Sequence, residues 1–315
     1  MSRTRLLAAT ALLGLAAAST AASPASAKEL ESVGVTLGSL GNPYFVALTK
    51  GVTQAAMAAN PKVRVVSSSA DYDLNKQFTQ IDNFIASGVN IIILNAVDPN
   101  AILPAIKRAQ KAGIVVVAAD VAATGADATV ETDNVAAGRM SCEALVKDIG
   151  GKGNVIIQNG PQVSSVTDRV KGCKEVLAKF PDIKLLSSDQ DGKGSRDGGL
   201  SVMQGYLIRY PDIAGVFAIN DPQAIGASLA AKQTHRTNIV ITSVDGAPDI
   251  VSALQEPNAL IKASASQDPY TMGQLAVKNA ISIMNGTKPA EQVMLMTPKL
   301  ITKENVASYT GWTQH

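Results

Sequence analysis

Amide, carboxylate and guanidinium side chains recur in this chain where short apolar runs stop. Asn42 with Tyr44-Phe45, Asn95 and Asp120 mark three such ends in the first half, and Asn159 marks one in the second. Arg169 lies in the helical stretch that follows, and Asn220-Asp221, Asp245 and Gln267-Asp268 close three further runs. Carboxylate and amide oxygens accept from hydroxyls, while guanidinium and amide N–H groups donate. Brought together, such a set suits a polyhydroxyl ligand. Tyr44 and Phe45 would lie against the C–H face of a sugar ring and leave its hydroxyls to the polar groups. Taken singly, each Asn or Asp is equally a turn former or a helix N-cap. The two rings are equally candidates for core under the first helix. Only the recurrence in both halves favours a site.

The same inventory is poor in catalytic parts. There are two histidines, His235 and the terminal His315, no G-x-S-x-G elbow and no metal-ligand cluster. Cys142 and Cys173 form no C-x-x-C pair and make no zinc site with those histidines. They are either a disulfide or two small buried side chains, and sequence leaves both open. The glycines of Gly192-Lys193-Gly194-Ser195-Arg196-Asp197-Gly198 resemble a dinucleotide fingerprint, the mark of an exported nucleotide-dependent oxidoreductase. The third glycine, however, comes one place late, and a turn with a helix N-cap explains the stretch better. The expectation is a binding protein and not an enzyme, with no cofactor and no metal.

The elements that must position these residues alternate in type. Strand candidates run over 33–38, 63–69, 90–96, 114–120 and 128–133, then over 154–159, 184–190, 215–220, 239–245 and 260–267. Stretches such as 74–87, 101–111 and 221–232 place apolar residues at three- and four-residue steps, as helices do. Ile91-Ile92-Ile93-Leu94 and Ile114-Val115-Val116-Val117 are continuously apolar, so both faces must be covered. The series restarts after Asp133, and Gly150-Gly151-Lys152-Gly153 makes a turn cluster between the sets. Two doubly wound α/β domains with parallel sheets follow, their strand-to-helix turns meeting at one edge. Met294 and Met296 alternate as an apolar strand would, and Trp312 reads as packing.

The first 27 residues have the layout of a cleaved secretory leader. Arg3 and Arg5 precede an apolar run too short to span a bilayer, and Ala25-Ser26-Ala27 supplies an A-x-A site. Of the 28 Lys and Arg, two lie in this leader, against 26 Asp and Glu elsewhere. A mature chain without net charge has no general field for nucleic acid or an anionic membrane. Export with no membrane insertion is the expectation.

In order and spacing, several segments together resemble the ribose-binding group of type I periplasmic sugar-binding proteins. They are Gly41-Asn42-Pro43-Tyr44-Phe45, Asn95-Ala96-Val97-Asp98, Ala119-Asp120, Asp133-Asn134, Asp168-Arg169-Val170-Lys171-Gly172, Phe217-Ala218-Ile219-Asn220-Asp221, Val244-Asp245-Gly246 and Gln267. The resemblance implies two lobes, 28–133 plus 268–292 and 134–267 plus 293–315, joined by a hinge of three segments near Asp133, Gln267 and Val293. It implies a periplasmic monomer that closes on one monosaccharide or polyol and delivers it to an ABC permease. A periplasmic sensor that presents its loaded form to a chemoreceptor or kinase would look the same. The implied ligand contacts are Asn42, Tyr44, Phe45, Asn95 and Asp120 from one lobe, Arg169, Asn220 and Asp245 from the other, and Gln267 at the hinge. Val121 stands where ribose binders usually carry an arginine, Gly38 where they carry a serine, and Gly194 and Val244 where they carry aromatics. These departures point away from ribose, towards a neutral polyol or an amine-bearing sugar, and towards a ligand larger than a pentose, such as a hexose or hexitol.

Overall fold

The computed structural model describes residues 28–312. The leader and His315 lie outside the described residues. The first sheet is built from β1 (Ser32–Leu37), β2 (Arg64–Ser69), β3 (Ile91–Leu94), β4 (Val115–Ala119) and β5 (Ala128–Thr132). Between them run α1 (Pro43–Ala59), α2 (Leu74–Ala86) and α3 (Leu103–Lys111). After β5 the chain enters α4 (Asn134–Asp148), β6 (Gly153–Gln158), α5 (Ser164–Leu177), β7 (Ile183–Ser187) and α6 (Arg196–Arg209). It continues through β8 (Gly215–Ala218), α7 (Asp221–Gln233), β9 (Val240–Asp245), α8 (Pro248–Gln255) and β10 (Ile261–Ser266). Then α9 (Pro269–Met284) and β11 (Val293–Met296) return to the first lobe, and β12 (Lys299–Thr302) to the second.

The first sheet has the order β11-β5-β4-β3-β1-β2 and is parallel throughout. The second has the order β12-β10-β9-β8-β6-β7, with β12 antiparallel at its edge. The fold is therefore two doubly wound α/β lobes. All four residues of β3 are buried, as a strand covered by helices on both faces must be. The third crossing does not fall near Val293. Val293–Met296 pairs in parallel with Thr129–Thr132 of the first sheet, so the chain changes lobes at Thr297-Pro298. The other two crossings are at Asp133 and at Gln267-Asp268, between β5 and α4 and between β10 and α9.

Helix starts follow the caps written in the sequence. Asn42, Asp73, Asp133, Ser195, Asn220 and Asp268 each accept from a backbone N–H in the first turn of the helix that follows. Three helix pairs touch backbone to backbone through glycines: α1 with α9, α4 with α5, and α6 with α7. A Cβ at Gly51 would stand 2.0 Å from the Tyr270 carbonyl oxygen, and one at Gly226 would stand 2.1 Å from that of Arg196. In the middle pair, a Cβ at Gly138 would lie 2.0 Å from the Arg169 carbonyl oxygen. Cys142 and Cys173, both fully buried, form a disulfide across these two helices with a Cα–Cα distance of 5.1 Å. The sequence left that bridge open. The helix that carries Arg169 is thus held to its neighbour by close packing and by a covalent bond.

Candidate functional site

The strand ends of the two lobes face each other across a small cavity of about 40 Å³. All nine residues named from the sequence line it: Asn42, Tyr44, Phe45, Asn95, Asp120, Arg169, Asn220, Asp245 and Gln267. Asn159 is not brought there; its amide donates to the Ser188 carbonyl and its side-chain oxygen accepts from Gly160 N.

Two carboxylates sit at the turning points of their strands. Asp120 follows β4 at φ +70°, and Asp245 ends β9 at φ +137°. Such left-handed backbone in residues other than glycine costs about 1–3 kcal/mol each and is held by the surrounding structure. Asp120 accepts from Asn95 Nδ2 at 2.9 Å, and Asn95 Oδ1 accepts from Gly38 N at 3.0 Å. Burial pushes the Asp120 carboxyl above its ordinary range, while Arg169 and bonds from Tyr44 and Asn95 oppose the shift.

Asp245 accepts from Gln267 Nε2 at 2.8 Å through Oδ1, which also lies 3.4 Å from Arg169 Nη1. Its other oxygen, Oδ2, is buried without a partner. Burial, reinforced by the neighbouring Asp221 charge, raises its pKa against the pull of Arg169. Asp221, fully buried at the start of α7, accepts from Ser243 Oγ, Ser264 Oγ and Ala247 N. It ties α7 to β9, β10 and the turn into α8, and so fixes the strand end that carries Asp245.

Arg169 is 4% exposed. Its Nε donates to Asn134 Oδ1 at 2.9 Å and its Nη1 to the Ile219 carbonyl at 2.9 Å. Asn42 and Asn220 act both as caps and as cavity lining, so the two readings of these residues hold together. Phe45 and Trp312 each pack edge-on against Tyr44, with centroids 5.5 Å away. The indole N–H of Trp312 donates to the carbonyls of Asp245 and Gln267, so this residue is packing that joins the site to the hinge. Gln267 Oε1 accepts from Thr132 Oγ1 at 2.7 Å, which links two of the crossings.

Tyr72 also lines the cavity, and sequence reasoning missed it. It stands in the turn after β2 with φ +57°, next to Asp71 at φ +52°. Its ring lies beside two of the departures from the ribose-binder pattern and takes the space left by the first of them. A Cβ at Gly38 would lie 2.8 Å from its Cε1, and one at Gly194 would lie 3.7 Å from its hydroxyl. Val244, the other expected vacancy, is core beneath the strand and does not line the cavity. The Tyr72 ring therefore occupies the space beside Gly38 and borders the space beside Gly194. The glycine-rich stretch 192–198 is a turn in which Ser195 caps α6.

A larger cavity, of about 590 Å³, opens behind the hinge against Thr132, Gln267, Lys299 and Tyr309. It has no convergence of buried charged groups, and the small interlobe cavity does. Among the described residues no group of three or more His, Cys, Asp or Glu is placed to hold a metal ion.

Beside the hinge, Glu131 carries a buried, unpartnered Oε2, and burial with the nearby charges of Asp120, Asp168 and Asp133 raises its pKa to about 7. The folded chain keeps this proton where an unfolded glutamate, near 4.5, has released it. Between those values the folded state binds more protons, so stability falls as pH rises and the contribution is lost through pH 7. Asp120, Asp221 and Asp245 are raised too and act with the same sign. Thermal melting at pH 5.5 and 8 is expected to show a lower midpoint at pH 8, with a smaller difference in Glu131→Gln. An equal difference in both proteins would contradict this.

The periplasmic binding protein domain family matches residues 33–288. The xylitol-binding protein of Mycolicibacterium smegmatis is 31% identical over 93% of this chain and 83% of its own length. The ribose import binding protein RbsB of Bacillus subtilis is 32% identical over 82% of this chain and 83% of its own. An ABC transporter solute-binding protein from Mycobacterium smegmatis, solved with bound glycerol, superposes with a TM-score of 0.82 at 28% identity, covering 89% of this chain and 97% of that one. With two doubly wound lobes around a cavity of strand-end amides and carboxylates, the chain belongs to the periplasmic binding protein family, as a type I sugar-binding protein.

Proposed function

We propose that the protein captures a small neutral polyol, of pentitol size, between its lobes in the periplasm and hands it to an ABC permease. The observation that carries this reading is the buried Asp245 with one oxygen engaged and the other unpartnered, facing a cavity that holds Arg169 as its cation. A buried unpaired polar oxygen costs about 1–3 kcal/mol, and a hydroxyl of the ligand relieves it. Raised pKa values at Asp120 and Asp245 lower the charge the ligand must balance, which favours a neutral polyol over an amino sugar. The small cavity favours a five-carbon ligand over a hexitol, and Val121 in place of a second cation favours a pentitol over ribose.

Closure about the three crossings is the mechanism. Ligand bridging Asn95 and Asp120 to Arg169 and Asp245 makes contacts that only the closed form offers, so binding shifts the population towards it. The protein acts as a monomer and does no chemistry on its ligand. Relatives named for import favour transport over sensing and over nucleotide-dependent oxidation. Calorimetric titration of ligand-stripped protein with xylitol, ribose, a hexitol and glucosamine tests the reading. Xylitol is expected to bind at least tenfold more tightly than glucosamine. Tighter binding of glucosamine, or no binding of any of the four, would overturn it.

A further inference from the structure

We infer that Tyr72 sets the length of the ligand by standing as a wall between the binding cavity and a second space at the lobe junction. This rests on the polyol reading of the cavity. The second space, of about 290 Å³, lies between Ser39 and Pro43 of one lobe and Lys193, Arg196 and Asp249 of the other. Three residues line both spaces: Asn42, Tyr72 and Gly194. The Asn42 side chain is committed to the N-cap of α1, and Gly194 has no side chain. The Tyr72 ring is therefore the one large group in the partition.

The ring is held there from several sides. Tyr72 N donates to the Gly38 carbonyl at 3.0 Å, and the left-handed turn is closed by Asp73 N on the Ala70 carbonyl. Asp71 pairs with Lys76 and accepts from Ser69 Oγ, which clamps the turn from outside. Glycine at 38 lets the ring pack close against the backbone that follows β1, and its hydroxyl stands beside Gly194 of the opposite lobe. On closure the wall meets the other lobe, and a ligand that reaches past it obstructs that contact. Beyond the wall, serine, lysine, arginine and aspartate side chains offer partners for further hydroxyls. Removing the ring joins the two spaces into one polar channel that accommodates a longer sugar alcohol or a glycosylated one.

The test is a length series on ligand-stripped protein: xylitol, a hexitol and maltitol, a hexitol carrying a hexose. It is run on wild type, Tyr72→Phe, Tyr72→Leu and Tyr72→Ala, each checked for folding by its melting transition. Wild type and Tyr72→Phe are expected to favour xylitol over maltitol by 100-fold or more. Tyr72→Ala is expected to reduce that ratio at least tenfold, with Tyr72→Leu between. A folded Tyr72→Leu or Tyr72→Ala whose ratio stays within twofold of wild type would overturn the role of Tyr72. If wild type binds none of the series, the polyol reading itself fails, and that outcome is separate from any effect of the variants.

Discussion

Arg169→Ala is expected to weaken xylitol binding by about 2–5 kcal/mol, the range for truncating one partner of a buried, hydrogen-bonded charge pair. That is a loss of roughly 30- to several-thousand-fold in affinity. Three acceptors depend on this guanidinium: Asn134 Oδ1 at the first crossing, the Ile219 carbonyl after β8, and Asp245 Oδ1 at the end of β9. Its removal leaves Asp245, already short of a partner at Oδ2, without its nearest positive charge. Asp245 then takes up a proton more readily and serves less well as an acceptor for a ligand hydroxyl. Lysine does not replace this geometry, because a point ammonium cannot reach acceptors on three sides as a planar fork does. Calorimetric titration of both proteins is the measurement. Wild-type affinity in a folded Arg169→Ala would show that the cavity is not where ligand is held.

Gly172→Ala is expected to destabilise the second lobe by about 3 kcal/mol or more, at the upper end of the range for overpacking. The added Cβ would lie 2.1 Å from the Val135 carbonyl oxygen and 2.9 Å from Arg139 N, both backbone atoms of α4 that cannot rotate away. The disulfide beside this contact restrains the two helices from sliding apart to relieve it. Because α5 carries Arg169, the displacement also reaches the cavity, and xylitol affinity is expected to fall along with the melting temperature. The fall in melting temperature is on the order of 6–12 °C for a lobed chain of this size. Gly205→Ala on α6 is the control: nothing lies within 4 Å of its would-be Cβ. There the change stabilises by up to about 1 kcal/mol through helix propensity. Equal melting temperatures for Gly172→Ala and wild type would contradict the packing argument.

What the sequence made legible follows from burial. Runs such as Ile91–Leu94 are apolar at every position because helices cover both faces, and they stand out whatever their neighbours are. Strand β11 was legible as a strand through the alternation at Met294 and Met296, but not its place: Val293 and Leu295 are exposed, and its membership in the first sheet depended on a pairing that no local pattern records. The third crossing moved with it. The polar strand ends were legible because they recur, yet their double role was not. Asn42 and Asn220 are cap and lining at once, since a helix that starts at the strand end points its cap at the same edge as the cavity. Tyr72 was hidden in a polar turn, Ser69-Ala70-Asp71-Tyr72-Asp73, where an aromatic has no periodic partner and a positive φ leaves no trace in composition. The signal that pointed to it lay elsewhere, in the glycine at 38, whose missing side chain leaves room for the ring.

A crystal structure of the protein loaded with xylitol tests the central claim most directly, because the interlobe cavity gathers buried charged groups from both lobes and the wider space behind the hinge does not. The expected result is one ligand between Asp120 and Arg169, with a hydroxyl on Asp245 Oδ2. Ligand seated in the wider space behind the hinge, against Lys299 and Tyr309 with the interlobe cavity empty, would contradict it.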